Sequence, residues 1–470
     1  MNSNKVMKRI LFATSVMIIF CLIVPTIPLS ASQDDAFQVY ASEADGTAGP
    51  DYSGQPNIIA PRAVLIEADT GKLLYEKDKD GRSFPASTAK IMTTLIAADT
   101  LDLTAKLIID AEAAGVERGG FYFREGEEVS VDSLLYAMML ASANDAAVAV
   151  AKAVSGDVGT FAALMNERAE KIGAVNTHFV NPNGLHSEEG YTTPYDMALI
   201  AAEAMKNDNV RRYAQTIDYV VPPTNLQAER AIHNGNRLLV NDGGVVSIYG
   251  QLHPIYFPEA TGLKTGRTPQ AGNCLVATAE KDGLKLIAVV YGAVDEAGPF
   301  MDCIEMFEYG FHNYKVMEII RAGDVVGKIE VKNGVAETVN AVIKSSVSAI
   351  VPMGLTKNDL EVKTEMKELI EAPVTAGSEV GRVFVYRNGA KLGESQLIAG
   401  GEVLKKDRLK VIKVTGTAIG IIVLSIVALV VIWILVAVIR TEIRKRNRWK
   451  KKYYRGDSTT KEVRRIKNLK

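Results

Sequence analysis

The sequence predicts an α/β body of the mixed α+β kind, a sheet covered by helices. A small all-β domain and a C-terminal transmembrane helix follow it. Three observations carry this. Residues 57–313 alternate short apolar strand runs with longer helical patterns. Residues 316–403 switch to period-two alternation, with Asn333-Gly334 and Asn388-Gly389 as hairpin signals. Residues 414–439 are 26 uncharged residues in a row, about 39 Å of helix at ~1.5 Å per residue, enough to cross a bilayer.

In the body, Ala63-Val64-Leu65-Ile66 reads as a strand. A turn at Asp69-Thr70-Gly71 leads to a second strand over 72–75. Helical patterns occupy 89–99, 131–153, 160–172 and 194–206, and two β-type runs cover 273–279 and 285–291. Residues 42–56, rich in Gly, Ser, Asp and Pro, read as a linker, and 404–413 as a juxtamembrane connection.

The chain has 470 residues and is 47% hydrophobic and 23% charged, enough to bury a sizeable core. Its net charge of -1 hides an asymmetry. Residues 440–470 hold 14 basic and 3 acidic side chains, and Lys5, Lys8 and Arg9 lie at the other end. The stretch between is acidic, which excludes nucleic acid as a partner. The N-terminal cations precede an uncharged apolar run, the layout of a secretory signal peptide over 1–41; an uncleaved anchor is the alternative. The positive-inside rule makes the 440–470 tail cytoplasmic and puts the body outside the cell. Of the three cysteines, Cys274 and Cys303 remain after signal removal and either pair or stay buried as thiols.

Three short motifs carry chemistry. Ser87-Thr88-Ala89-Lys90 opens an apolar helix. A serine there has a free backbone N–H, and Lys90, three residues on, shares its face. Desolvation lowers such a lysine's pKa and makes it a base. Ser142-Ala143-Asn144 ends an apolar run, offering a proton-relay hydroxyl in Ser142 and a peptide-binding amide in Asn144. Lys264-Thr265-Gly266 precedes the 273–279 run; Lys264 and Thr265 suit a terminal carboxylate, and Gly266 lets a ligand approach the backbone. The N–H of Arg267 is then a second oxyanion donor.

These motifs, in this order, form the signature of penicillin-binding proteins and class A β-lactamases. With Asn176-Thr177-His178-Phe179, Asn181-Pro182-Asn183-Gly184-Leu185 and Gly262-Leu263 before Lys264, residues 57–313 resemble the D-Ala-D-Ala carboxypeptidases, the low-molecular-mass penicillin-binding proteins. The resemblance implies the penicillin-binding-protein/β-lactamase-like transpeptidase fold with an antiparallel sheet. It implies a catalytic domain over 57–313 and a β domain over 314–403. It also implies Ser87 as nucleophile, Lys90 and Ser142 as proton carriers, and Asn144, Lys264, Thr265, Gly266 and Arg267 as substrate contacts. Neither a metal nor another cofactor is implied. The partners are peptidoglycan stem peptides, β-lactams acting covalently, and membrane lipid.

Two departures stand out. Arg267 follows Lys-Thr-Gly where some relatives carry histidine. Residues 241–258 form a longer connection than usual, either a loop at the site's rim or a surface insertion. A β-lactamase needs a deacylating glutamate, which the Leu164-Met165-Asn166 stretch lacks. A metallopeptidase needs a His-Glu-x-x-His that is absent from the sequence. D,D-endopeptidase action on cross-links and non-enzymatic peptidoglycan binding remain as alternatives.

Overall fold

The structure is a computed structural model, describing residues 52–116, 119–406 and 416–453. The expected signal peptide lies outside the described residues. By Cα proximity the chain falls into two units. The first comprises the residues up to Ala322, Ser345–Lys363 and Phe384–Ser395. The second comprises Gly323–Lys344, Thr364–Val383 and the chain from Gln396.

The first unit is built on a five-stranded antiparallel sheet. Its spatial order is Leu73–Lys77, Arg62–Glu67, Leu284–Ala293, Gly272–Lys281 and Ala260–Thr268. Successive side chains of a strand point to opposite faces, and here both faces are covered. Val64, Ile66, Ile287 and Val289 enter one core, and Ala63, Leu65, Leu286, Ala288 and Val290 the other. That is why the strand runs are continuously apolar rather than alternating.

The first core is filled by helices Lys90–Thr100, Val131–Leu140, Asn144–Ser155, Val158–Ile172 and Pro194–Ala204. The second is filled by the helix Gly298–Asn313 through Phe300, Ile304 and Phe307. The sequence reading did not single that helix out.

The pattern over 131–153, read as one helix, is two. Val131–Leu140 ends, Ala141 to Ala143 turn, and Asn144–Ser155 begins. Ser142 sits at the turn with φ 61°. The apolar periodicity continues on both sides of the break, so periodicity alone does not reveal it.

Residues 241–258 do not form a loop at the site's rim. They contain a hairpin, Val245–Ile248 paired with Gln251–Pro254. Its Val246 and Ile248, with Ile255 and Phe257, pack in the second core beside Phe307. No residue of 241–258 lines the catalytic cleft.

In the C-terminal β region a six-stranded sheet includes the hairpin strands Val325–Lys332 and Thr338–Ile343. Asn388 and Gly389, with φ 48° and 80°, join Glu379–Arg387 to Ala390–Ala399 as the two-residue signal predicts. The apolar helix runs from Gly416 to Tyr453. Its stretch Ile419–Arg448 is long and apolar enough to cross a membrane, and none of its most apolar window is buried within the protein. Cys274 and Cys303 are buried free thiols.

Candidate active site

The nucleophile turn is assembled before the helix it opens. Ala86–Ala89 forms a 3-10 turn and Lys90–Thr100 continues as α-helix. Ala86 takes the left-handed conformation with φ 46°, which a non-glycine residue adopts only when its surroundings impose it. The turn is pinned from behind. Thr88 Oγ1 donates to Pro85 O at 2.5 Å and lies 2.7 Å from the buried Tyr291 hydroxyl of the central sheet.

Lys90 is fully buried, and its Nζ has three partners. They are Asn183 O at 2.6 Å, Asn144 Oδ1 at 2.7 Å and Ser87 Oγ at 3.0 Å. Two of these are carbonyl oxygens, which only accept. They take two N–H groups whatever the charge. Burial, then repulsion from Lys264, holds the Lys90 amine well below its ordinary value. A neutral amine keeps one lone pair, and the remaining partner is the Ser87 hydroxyl. The geometry is therefore that of a base poised over a serine proton.

The loop that supplies Asn183 O is built by its own side chains. Asn181 Oδ1 accepts from Gly184 N at 2.7 Å, and Asn183 Oδ1 from Leu185 N at 3.0 Å. Gly184 has φ +78°, and a Cβ there would lie 1.7 Å from Ala86 O. The loop backbone thus rests directly on the nucleophile turn.

Asn144 begins the second helix of the broken pair, and its N–H bonds to Gly119 O at 3.0 Å. The neighbouring Asp145 carboxylate accepts from Phe121 N and Phe123 N, both at 3.0 Å, and so ties a separate loop to this helix start.

The third motif lies on the sheet's edge strand. Thr265 pairs in register with Leu275, Gly266 with Cys274, and Arg267 with Asn273. A Cβ on Gly266 would lie 3.1 Å from Ser87 N and 3.2 Å from Thr88 N. The bare glycine leaves the space before the Ser87 amide open. Lys264 is 1% exposed and is absent from the cleft lining. Its Nζ donates to Thr265 O at 3.0 Å, and burial lowers its pKa to about 7. It thus lies behind the cleft wall rather than in it.

Around these elements is a cleft of about 630 Å³, within the usual range of small-molecule sites. Ser87, Ser142, Asn144, Thr265, Gly266 and Arg267 all line it, as do Asn183, Gly184, His186, Arg237 and Glu296. The Arg267 guanidinium is paired with Glu296.

Asn183 and Gly184 were legible as part of a motif but had no assigned role, because a backbone acceptor leaves no side-chain signature. Glu296 and Arg237 had no motif, and His186 directly follows the 181–185 stretch without belonging to it. Asn166 holds Phe179 through both its amide atoms, at 2.7 and 2.9 Å, a structural use of that side chain.

Comparison with known proteins follows the same lines. Residues 50–295 match the family described as D-alanyl-D-alanine carboxypeptidase, and residues 314–405 match the penicillin-binding protein 5 C-terminal domain. D-alanyl-D-alanine carboxypeptidase DacF of Bacillus subtilis is 33% identical over 353 residues, covering 74% of this chain and 86% of that protein. DacC of Escherichia coli is 30% identical over 354 residues, covering 73% and 84%. Penicillin binding protein 5 from Haemophilus influenzae superposes with a TM-score of 0.60 at 25% identity, over 75% of this chain and 99% of that one. The family match covers more than half of the chain and the relatives match most of their own length, so the chain belongs to the D-alanyl-D-alanine carboxypeptidase family.

Proposed function

We propose that this carboxypeptidase removes the terminal D-alanine of peptidoglycan stem peptides through an acyl-enzyme on Ser87. The observation that carries the reading is Lys90 Nζ, buried and 3.0 Å from Ser87 Oγ with two carbonyls on its other side. Ser87 Oγ attacks the carbonyl between the two D-alanines, and its proton passes to Lys90. The developing oxyanion lies between the backbone N–H groups of Ser87 and Arg267. The C–N bond breaks, and the proton reaches the leaving amine by way of Ser142. Water then hydrolyses the ester, releasing the shortened peptide and restoring Ser87.

Thr265 and Arg267 hold the terminal carboxylate, Lys264 adds charge beneath them, and Asn144 orients the peptide. β-Lactams acylate Ser87 in the same way. A fluorescent penicillin is expected to label the wild type and not Ser87→Ala. Labelling of the variant at the wild-type rate would overturn the assignment.

Glu296 competes with a substrate carboxylate for Arg267, since both acids seek the same guanidinium. Glu296→Gln is expected to lower KM for a D-Ala-D-Ala peptide severalfold with kcat little changed. An unaltered KM would remove Arg267 from carboxylate binding.

The same reading divides the chain into a signal peptide over 1–41, a catalytic domain over 57–313 and a β domain over 314–403. The helix within Gly416–Tyr453 spans the membrane, with the body outside and the basic 440–470 tail on cytoplasmic lipid headgroups. Its support is the apolar surface of that helix, with Leu424 71% exposed, next to a cluster of arginines and lysines.

A further inference from the structure

A second arginine reaches the cleft, and nothing in the mechanism uses it. Arg237 lines the same cavity as Ser87 and Thr265. It is held in place by the beginning of the 241–258 stretch. Asp242 takes its guanidinium side-on, with Nε to Oδ2 at 2.9 Å and Nη2 to Oδ1 at 3.3 Å. The same carboxylate accepts from Gly244 N at 2.8 Å. Gly244 completes the seat by having no side chain, since a Cβ there would lie 1.8 Å from Arg237 Nη2.

The approach to Arg237 is equally fixed. Gly235 N donates to Leu140 O at 3.2 Å, just ahead of the Ser142 turn, and a Cβ on Gly235 would lie 3.8 Å from Thr265 Oγ1. Asn234 Oδ1 accepts from Asn236 N at 2.9 Å, and Asn236 Oδ1 from Leu238 N at 3.2 Å. Leu238 and, beyond Gly244, Val246 and Ile248 are buried in the second core, so the seat stands on packed structure.

A guanidinium has five N–H donors in a planar fork, and Asp242 takes only two. The other edge suits a second carboxylate, bound in the planar, paired manner arginine favours. The terminal carboxylate of a stem peptide already has Thr265 and Arg267.

We propose that the Asp242-Gly243-Gly244 turn seats Arg237 as a subsite for a second carboxylate of the stem peptide, one carried on a side chain. The turn thereby makes the enzyme selective for acidic stem peptides. This rests on the reading of the cleft as the stem-peptide site.

The test compares two substrates on the full-length protein. One is Nα,Nε-diacetyl-L-Lys-D-Ala-D-Ala. The other carries succinyl in place of acetyl on Nε and so adds one carboxylate. The wild type is expected to favour the succinyl peptide in kcat/KM by about tenfold, mainly through KM, with the preference shrinking at high salt. Arg237→Gln brings the ratio close to one, and Arg237→Lys restores part of it. Gly244→Ala, which keeps the charge and only displaces the guanidinium, also lowers the ratio. A wild-type ratio of one, or a ratio unchanged in both Arg237→Gln and Gly244→Ala, overturns the subsite. Failure to release D-alanine from either peptide overturns the carboxypeptidase reading itself, and the subsite with it.

Discussion

Lys90→Arg is expected to lose about 10²–10⁴-fold in kcat/KM, as much as Lys90→Ala, and to be acylated by penicillin at a correspondingly reduced rate. The comparison is informative because arginine keeps the positive charge but does not deprotonate in proteins. A lysine needed only as a cation tolerates the change in part; a lysine needed as a base does not. The geometry favours the base, because Asn144 Oδ1 and Asn183 O absorb two N–H groups and leave the third position to the serine proton.

The pH profile follows from the same cause. A Lys90 that acts as the base must be neutral, so kcat/KM is expected to rise as pH rises through its pKa. That limb lies well below the range of an ordinary lysine, because burial and Lys264 disfavour the charged form. Lys264 runs the other way. Its pKa of about 7 means that its cation fades above neutrality, and with it the attraction for a substrate carboxylate. The expected profile is bell-shaped, with an alkaline limb starting near 7. Stopped assays across pH on the wild type and Lys264→Met check this. An alkaline limb unchanged in Lys264→Met excludes Lys264 as its source.

The second large effect is expected at a residue with no chemistry of its own. Gly184→Ala places a Cβ 1.7 Å from Ala86 O, at a φ of +78° that alanine resists. The clash is with backbone, so no side-chain rotation relieves it. The atom it meets belongs to a residue already held at φ 46°, directly before the nucleophile. Overpacking of this kind costs about 1–3 kcal/mol, and the left-handed conformation adds about 1 kcal/mol or more. The thermal midpoint falls accordingly. Penicillin labelling falls further, because the turn and Asn183 O move together. A variant that labels at the wild-type rate would mean the loop yields without disturbing Ser87.

What the sequence reveals depends on whether a residue's task is local. Ser87 and Lys90 lie one turn apart on one element, so their partnership is visible as spacing. Asn388-Gly389 is legible for the same reason, since two consecutive positive φ values need those residue types. Four strands of the five-stranded sheet were legible, but not the fifth, Ala260–Thr268, nor the order, because pairing joins Arg62–Glu67 to Leu284–Ala293 across most of the body. The break at Ser142 was hidden by apolar residues that serve two helices equally well. Lys264 was read as a carboxylate contact; only the packed strand shows it to be buried and outside the cleft lining. Arg267–Glu296 depends on tertiary approach, and Arg237–Asp242–Gly244 on a local turn and the absence of a Cβ, which no motif records.

The long apolar helix has a consequence for measurement. The chain's two tryptophans, Trp433 and Trp449, both fall within Gly416–Tyr453, and Trp433 is 73% exposed on its surface. The catalytic unit contains no indole to compete with them. Intrinsic emission excited at the red edge therefore reports on this helix and not on the catalytic unit. If this helix crosses a bilayer, a blue shift on reconstitution and quenching by lipids brominated at known depth are expected for Trp433, while the catalytic unit stays dark.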